Sequence, residues 1–216
     1  MSKYNSQERQ DEYLETKIFK NFKHGIFVDV GAHDGITINN TLYFEKYNNW
    51  TGINIEPISE IYEKLKINRP NCINLNCAVS NTNGIQEFIE NKGYTEMISG
   101  LKEYYDPRHK NRLDNENNFF KSKSFVVNVN CKRLEDIFEE NNVKKVNYLS
   151  IDVEGAEFEV IKSINFDKVF IDVIAFENNY MDKSIPIINY LFKKNFILLN
   201  MSFDIFMINK FSEFNI

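Results

Sequence analysis

The 216-residue sequence predicts an α/β fold, a doubly wound and mostly parallel sheet with helices on both faces and an antiparallel C-terminal strand. Three observations carry this. The apolar run 26–30 passes at once into Gly31-Ala32-His33-Asp34-Gly35, which reads as a strand, a tight turn and then a helix. Further apolar runs at 51–56, 72–79, 146–152 and 169–176 alternate with helix-period segments. Two short closing runs, 196–200 and 205–208, are joined by a short turn and predict an antiparallel hairpin.

Taken in order, residues 7–22 set Leu14, Ile18 and Phe22 four apart with Phe19 beside them, an amphipathic helix that His24-Gly25 ends. After the glycine turn, a helix is expected at 39–47, its free N–H groups facing a ligand. The strand 51–56 is closed by Pro57, and Ser59 is expected to cap a helix with Ile58, Ile61, Tyr62 and Leu65 on one face. Next come a strand at 72–79, the turn Asn81-Thr82-Asn83-Gly84, and a strand at 85–89 that could complete a hairpin. Residues 90–124 lack periodicity and read as an irregular, lid-like insertion, mobile until ligands order it. Regularity returns with a strand at 125–129, a helix at 134–140, the strand 146–152, a helix at 156–164, the strand 169–176 and a helix capped by Ser184 that carries Ile187, Ile188, Leu191 and Phe192. There is no repeat and no linker, so a single domain over 1–216 is expected.

The balance of 26 basic against 31 acidic residues gives no footprint for nucleic acid or an anionic membrane. Cys72, Cys77 and Cys131 lack metal-ligand spacing and read as reduced, buried thiols. No segment reaches membrane-spanning length and residues 1–11 are polar, which predicts a soluble, cytoplasmic protein without membrane insertion; the oligomeric state is not legible.

In open α/β sheets the ligand lies beyond the carboxyl ends of the strands. Here those ends are acidic: Asp34 in the glycine turn, Glu56, Asp152 with Glu154 just beyond, and Glu177 beside Asn178. Glu56 follows Gly31 at about the interval where a carboxylate accepts both ribose hydroxyls of a nucleoside. A plain connection at the turn and a solvated strand-end acid at Glu56 are the structural alternatives. Asp152 and Glu154 are candidates for catalysis, or else cap and turn residues, while Glu157 in the first helical turn reads as structural. Asp152, Glu177 and Asn178 together form a plausible hard-cation site. His33 is the one histidine near this chemistry; His24 and His109 read as surface residues. Tyr94, Tyr104, Tyr105, Phe119 and Phe120 could cover an acceptor, or simply belong to a surface loop.

With these residues in view the chain resembles the FkbM family of S-adenosylmethionine-dependent methyltransferases. The resemblance runs through Gln10-Asp11, residues 25–35, Asn40-Thr41, Ile55-Glu56-Pro57, Ser99-Gly100, the block Ile151-Asp152-Val153-Glu154-Gly155-Ala156-Glu157, Glu177-Asn178 and Asp204-Ile205-Phe206. It implies a class I methyltransferase fold with a seven-stranded sheet. It also implies that Asp29, Gly31, Asp34 and Gly35 hold the methionine end of the cofactor, Glu56 the ribose and Ala78-Val79 the adenine, with Ala32, His33, Thr37, Pro57, Ser99 and Asp152 in the same cofactor set. The family often has His after the strand-end glutamate, where this chain has Asn178.

Family members are known mostly as O-methyltransferases, so the implied acceptor is a hydroxyl of a sugar, glycan or related small molecule. Deprotonation would fall to Asp152, Glu154 or Glu177, or to Mg2+ or another divalent cation held by Asp152, Glu177 and Asn178. A nicotinamide-dependent oxidoreductase is the main alternative, although the turn lacks the third glycine of G-x-G-x-x-G. A non-catalytic cofactor-binding module of the same fold is the other.

Overall fold

The structure is a computed structural model that describes residues 3–214; the ends of the expected 1–216 domain, residues 1–2 and 215–216, lie outside the described residues. Its elements are α1 (Gln10–Tyr13), running on as a π-helix (Leu14–Phe19), then β1 (Ile26–Val30), α2 (Leu42–Asn48), β2 (Thr51–Ile55), α3 (Ser59–Asn68), β3 (Ile73–Leu75), β4 (Ala78–Val79), β5 (Gly84–Lys92) and β6 (Gly100–Leu101). There follow α4 (Pro107–Phe120), β7 (Lys123–Lys132), α5 (Leu134–Glu140), β8 (Lys145–Ile151), α6 (Glu157–Lys162), β9 (Phe170–Glu177), α7 (Met181–Lys193), β10 (Phe196–Met201) and β11 (Asp204–Asn209).

Seven strands form the main sheet in the order β10-β11-β9-β8-β1-β2-β3, with β1, β2, β3, β8 and β9 paired in parallel and β11 antiparallel to both neighbours. This is the class I methyltransferase topology, with the reversed last strand that the sequence predicts. The central strands β1, β8 and β9 are buried along nearly their whole length, as strands covered on both faces must be. Leu134, Ile137, Val160, Ile161, Ile187 and Leu191 cover one face. The π-helical segment covers the other with Leu14, Ile18 and Phe19 against Phe27, Phe44, Trp50 and Tyr148.

Several expectations are corrected. The N-terminal helix does not span 7–22: Ser6 and the backbone of Asn5 bond the Asp11 carboxylate and hold the chain in a turn before Gln10, while Lys20 and Asn21 adopt left-handed angles that end it. Ser59 opens α3 without capping it, and Ser184 lies inside α7, its hydroxyl donating to Asn178 Oδ1 at 2.7 Å. The run 72–79 divides between two sheets, because Asn76 Nδ2 donates to the carbonyls of Glu56 and Pro57 and turns the chain there. Accordingly β5 makes no hairpin with it; β5 pairs antiparallel with β7, and β4-β7-β5-β6 form a second, four-stranded sheet.

Residues 90–124 are not structureless. β5 continues to Lys92 opposite Lys123, and α4 fills 14 residues. Asp106 caps α4 by accepting Arg108 N, with Pro107 at its first position. All three cysteines are free thiols; Cys77 and Cys131 are buried, Cys72 half-buried. No helix among the described residues is long and apolar enough to cross a membrane.

Candidate active site

Parallel strands deliver their carboxyl ends to one edge, so the strand order β9-β8-β1-β2 sets Glu177, Asp152, Gly31 and Glu56 in a row. β11 runs the other way, so its first residue, Asp204, pairs with Glu177 at the same edge. A cleft of about 660 Å³ opens over this row, within the range that takes a nucleoside-sized ligand. Gly31, His33, Glu56, Pro57, Ala78, Val79, Ser99, Asp152, Glu154, Glu177 and Asn178 all line it. The second sheet supplies a further wall through Phe88 and Leu101, with Ile98 from the short turn between β5 and β6 beside them.

Gly31 sits at φ +88°, and a Cβ there would lie 1.8 Å from the backbone oxygen of Asp152, so the bare backbone is what lets the β1 and β8 turns meet. Glu56 is buried at the cleft wall; one oxygen accepts from Ile58 N at 2.8 Å and the other from His33 N at 3.1 Å. Among the described residues no cation neutralises it, and burial pushes its carboxyl up to about 7. Each oxygen keeps a lone pair for a ligand hydroxyl. A buried acid facing a cleft with backbone donors behind it and the small Ala78-Val79 pair beside it fits the ribose and base of S-adenosylmethionine.

Five predicted cofactor residues are placed elsewhere. Asp29 does not reach the cleft: it accepts from Asn39 Nδ2 and Thr41 Oγ1, both at 2.9 Å, beside the fully buried Arg69. Asn39 in turn accepts from Thr41 N and Leu42 N, so the first N–H of α2 is occupied from within the chain. Asp34 closes its own turn onto Ile36 N, Thr37 N and Thr37 Oγ1, which also accounts for Thr37. Ala32 is buried, and Gly35 packs on Leu65 and Arg69. These five shape the turn from behind.

At the cleft floor Asp152, Glu154 and Glu177 each bring a carboxylate oxygen within 4.8 Å of the others. Asp152 is exposed to the cleft, while Glu154 and Glu177 are half-buried. Desolvation raises all three carboxyls, and neighbouring acids add to it: Asp204, Glu157 and Asp29 around Asp152, and Asp152 and Glu157 around both Glu154 and Glu177, so the group holds protons that isolated carboxylates would have lost. Glu154 is a non-glycine residue at φ +57°, next to Gly155 at φ +117°, a strained turn that aims its side chain into the cluster. Glu157, as the sequence indicates, is structural: it accepts from Gly155 N at 3.0 Å and holds that turn.

The predicted cation trio is altered. The Asn178 oxygen is taken by Ser184 and its amide donates to the Ser202 carbonyl, so Glu154 stands where Asn178 was expected; the neighbouring Asn179 amide donates to Glu177.

His109, read from sequence as a surface residue, is buried with Nε2 3.2 Å from Glu154 Oε2. Arg112 and Glu116, one and two turns along α4, line the cleft, as does Asp204. Sequence reasoning missed these four. The Asp106-Pro107 start and the spacing of His109, Arg112, Leu113 and Glu116 were the available signals for α4.

The Methyltransferase FkbM domain matches residues 29–198. The chain belongs to the FkbM methyltransferase family, and methyl transfer from S-adenosylmethionine is its class of reaction; the nicotinamide alternative is set aside. Among solved structures, the chain is similar to the precorrin-6y C5,15-methyltransferase from Geobacter metallireducens, at 9% identity and TM-score 0.49 over 94% of this chain and 86% of that one. It is also similar to the Methanococcus jannaschii fibrillarin pre-rRNA processing protein, at 12% identity and TM-score 0.46 over 88% of this chain and 68% of that one. No curated protein matches.

Proposed function

We propose that this methyltransferase acts on oxygen, methylating a hydroxyl of a sugar, a glycan or a related small molecule. The observation that supports this reading is the carboxyl cluster Asp152, Glu154 and Glu177 on the cleft floor. An alkyl hydroxyl gives up its proton reluctantly, and a carboxylate whose basicity is raised by burial is suited to take it.

Bound over the row of strand ends, S-adenosylmethionine supplies an electrophilic methyl group. Glu56 would hold its ribose hydroxyls, with Ala78 and Val79 beside the adenine and Ser99 at the further wall. The chain's remaining task is to seat the acceptor hydroxyl against the cluster and receive its proton on Asp152 or Glu154, with Glu177 the third acid beside them. His109 and Arg112 border Glu154 from α4, His109 by close approach and Arg112 as a nearby positive charge.

The same three carboxylates also fit a hard divalent cation, which would lower the hydroxyl pKa directly. Mass spectrometry of methyl gain across a panel of glycans and small alcohols, before and after exhaustive chelation, tests both versions. Activity that survives EDTA and disappears in Asp152→Asn leaves a carboxylate base. Activity lost on chelation and restored by Mg2+ establishes the ion. A methyl found on nitrogen or carbon rejects the oxygen assignment.

A further inference from the structure

On α4, His109, Arg112, Glu116 and Phe120 follow one another at three or four residues and share one face. His109 touches Glu154, while Arg112 and Glu116 line the cleft, so the stripe leads outward from the carboxyl cluster. From His109 to Phe120 a helix rises about 16 Å, well beyond one pyranose ring.

At the outer end Phe120 stacks on Tyr94, with ring centroids 3.7 Å apart and planes 20° from parallel, and Phe119 meets Phe120 edge-on at 4.8 Å. Tyr94 belongs to the cleft lining yet is 65% exposed, and Phe119 is 80% exposed. Aromatic rings standing together in water, continuous with a functional cleft, mark a binding surface. A pyranose ring presents a face of C–H groups that covers such rings while its hydroxyls stay hydrated. Charge narrows the ligand further: among the described residues Arg112 is the one arginine or lysine on the cleft wall, against Glu8, Glu96 and Glu116 besides the acids of the floor. Phosphate or uronate groups would be repelled there.

We propose that Tyr94, Phe120 and Phe119 form an outer sugar subsite, and that the acceptor is an oligosaccharide without anionic groups whose distal ring stacks there while the ring to be methylated lies on the cleft floor. This rests on the glycan reading above. The test titrates the full chain, saturated with S-adenosylhomocysteine, calorimetrically with N-acetylglucosamine and chitohexaose, glucose and maltohexaose, and hexagalacturonate. One neutral hexasaccharide binds about tenfold tighter than its own monosaccharide, hexagalacturonate does not bind, and Phe119→Ser/Phe120→Ser erases the gain with S-adenosylhomocysteine affinity and Tm unchanged.

Equal affinity for monomers and hexamers throughout, or a gain that persists in the double variant, overturns the subsite. So does variant-sensitive binding to phosphatidylglycerol vesicles, or a dimer in light scattering that the variant dissolves, since the face then belongs to a membrane or to a second copy. The readout is binding, so a methyl placed on nitrogen would reject the oxygen chemistry and leave the subsite standing. Equal methylation of a monosaccharide by parent and double variant, with no chain-length gain in binding, would do the reverse.

Discussion

The backbone oxygen of Asp152 fills the space that a side chain on Gly31 would need, at 1.8 Å from the Cβ position. The two turns that carry the cofactor edge and the acid edge of the cleft are thus in direct backbone contact. Gly31→Ala must push them apart and also hold a non-glycine residue at φ +88°. The strain is of the order of 1–3 kcal/mol before any clash, which in a chain of this size lowers Tm by roughly 2–10 °C. Differential scanning fluorimetry checks this; an unchanged Tm would mean that the turns separate freely.

Glu56→Gln is expected to weaken S-adenosylhomocysteine binding by about 1–3 kcal/mol, because the ribose hydroxyls lose a charged acceptor. Its pH dependence has a defined sign. In the empty protein burial raises this acid to about 7, so the ionised form that accepts both hydroxyls is depleted below pH 7 and predominates above it. Binding by the parent strengthens from pH 6 to pH 8; binding by Glu56→Gln stays flat across the same interval.

Glu56 was legible in sequence because a strand end, a following proline and a fixed interval from a glycine turn are all local signals. The main sheet was legible for the same reason: buried parallel strands are continuous apolar runs. α4 was not, since 12 of its 14 residues are not buried and few apolar positions set a period. The second sheet was hidden likewise, because β5 and β7 expose much of their length and their pairing joins residues far apart in the chain. The replacement of Asn178 by Glu154 in the acidic group depended on which way an amide turned, and Ser184, a residue of α7, decided that.

The crowded carboxyls have a cost for folding that one substitution can expose. An acid raised in the folded state binds its proton more tightly there than in the unfolded chain, so stability is greatest in acid and falls as pH rises through the raised values. Glu177→Gln removes one of the three charges. Its Tm should exceed the parent's at pH 9 and equal it at pH 4, where both chains are protonated, while methyl transfer is retained in part, because the proton acceptors Asp152 and Glu154 remain. Thermal melts at the two pH values, with an activity assay beside them, decide the point.

Arg69 is fully buried and donates to the Gly35 carbonyl, Asn39 Oδ1 and Thr41 Oγ1, with Glu45 as its ion partner and Asp29 nearby. Arg69→Met should cost about 3–5 kcal/mol, because it strands buried acids without a cation. Adding Asp29→Asn should recover part of the loss. A chemical denaturation series over the two single variants and the double reports the coupling.

The four-stranded sheet departs from the main one at Asn76, just past β3, and carries with it a further wall of the cleft, while its β5-to-β7 excursion brings in α4. On the reading proposed above, the strand-end residues that serve the chemistry and the outer subsite that chooses the acceptor belong largely to separate stretches of chain. The proposed outer subsite would then be open to change by insertions in the β5-to-β7 excursion or a recast α4 while Gly31, Glu56 and Asp152 stay fixed. Family members sharing the strand-end residues could on that reading differ in what they modify, and exchanging residues 93–122 between two of them would exchange their acceptors.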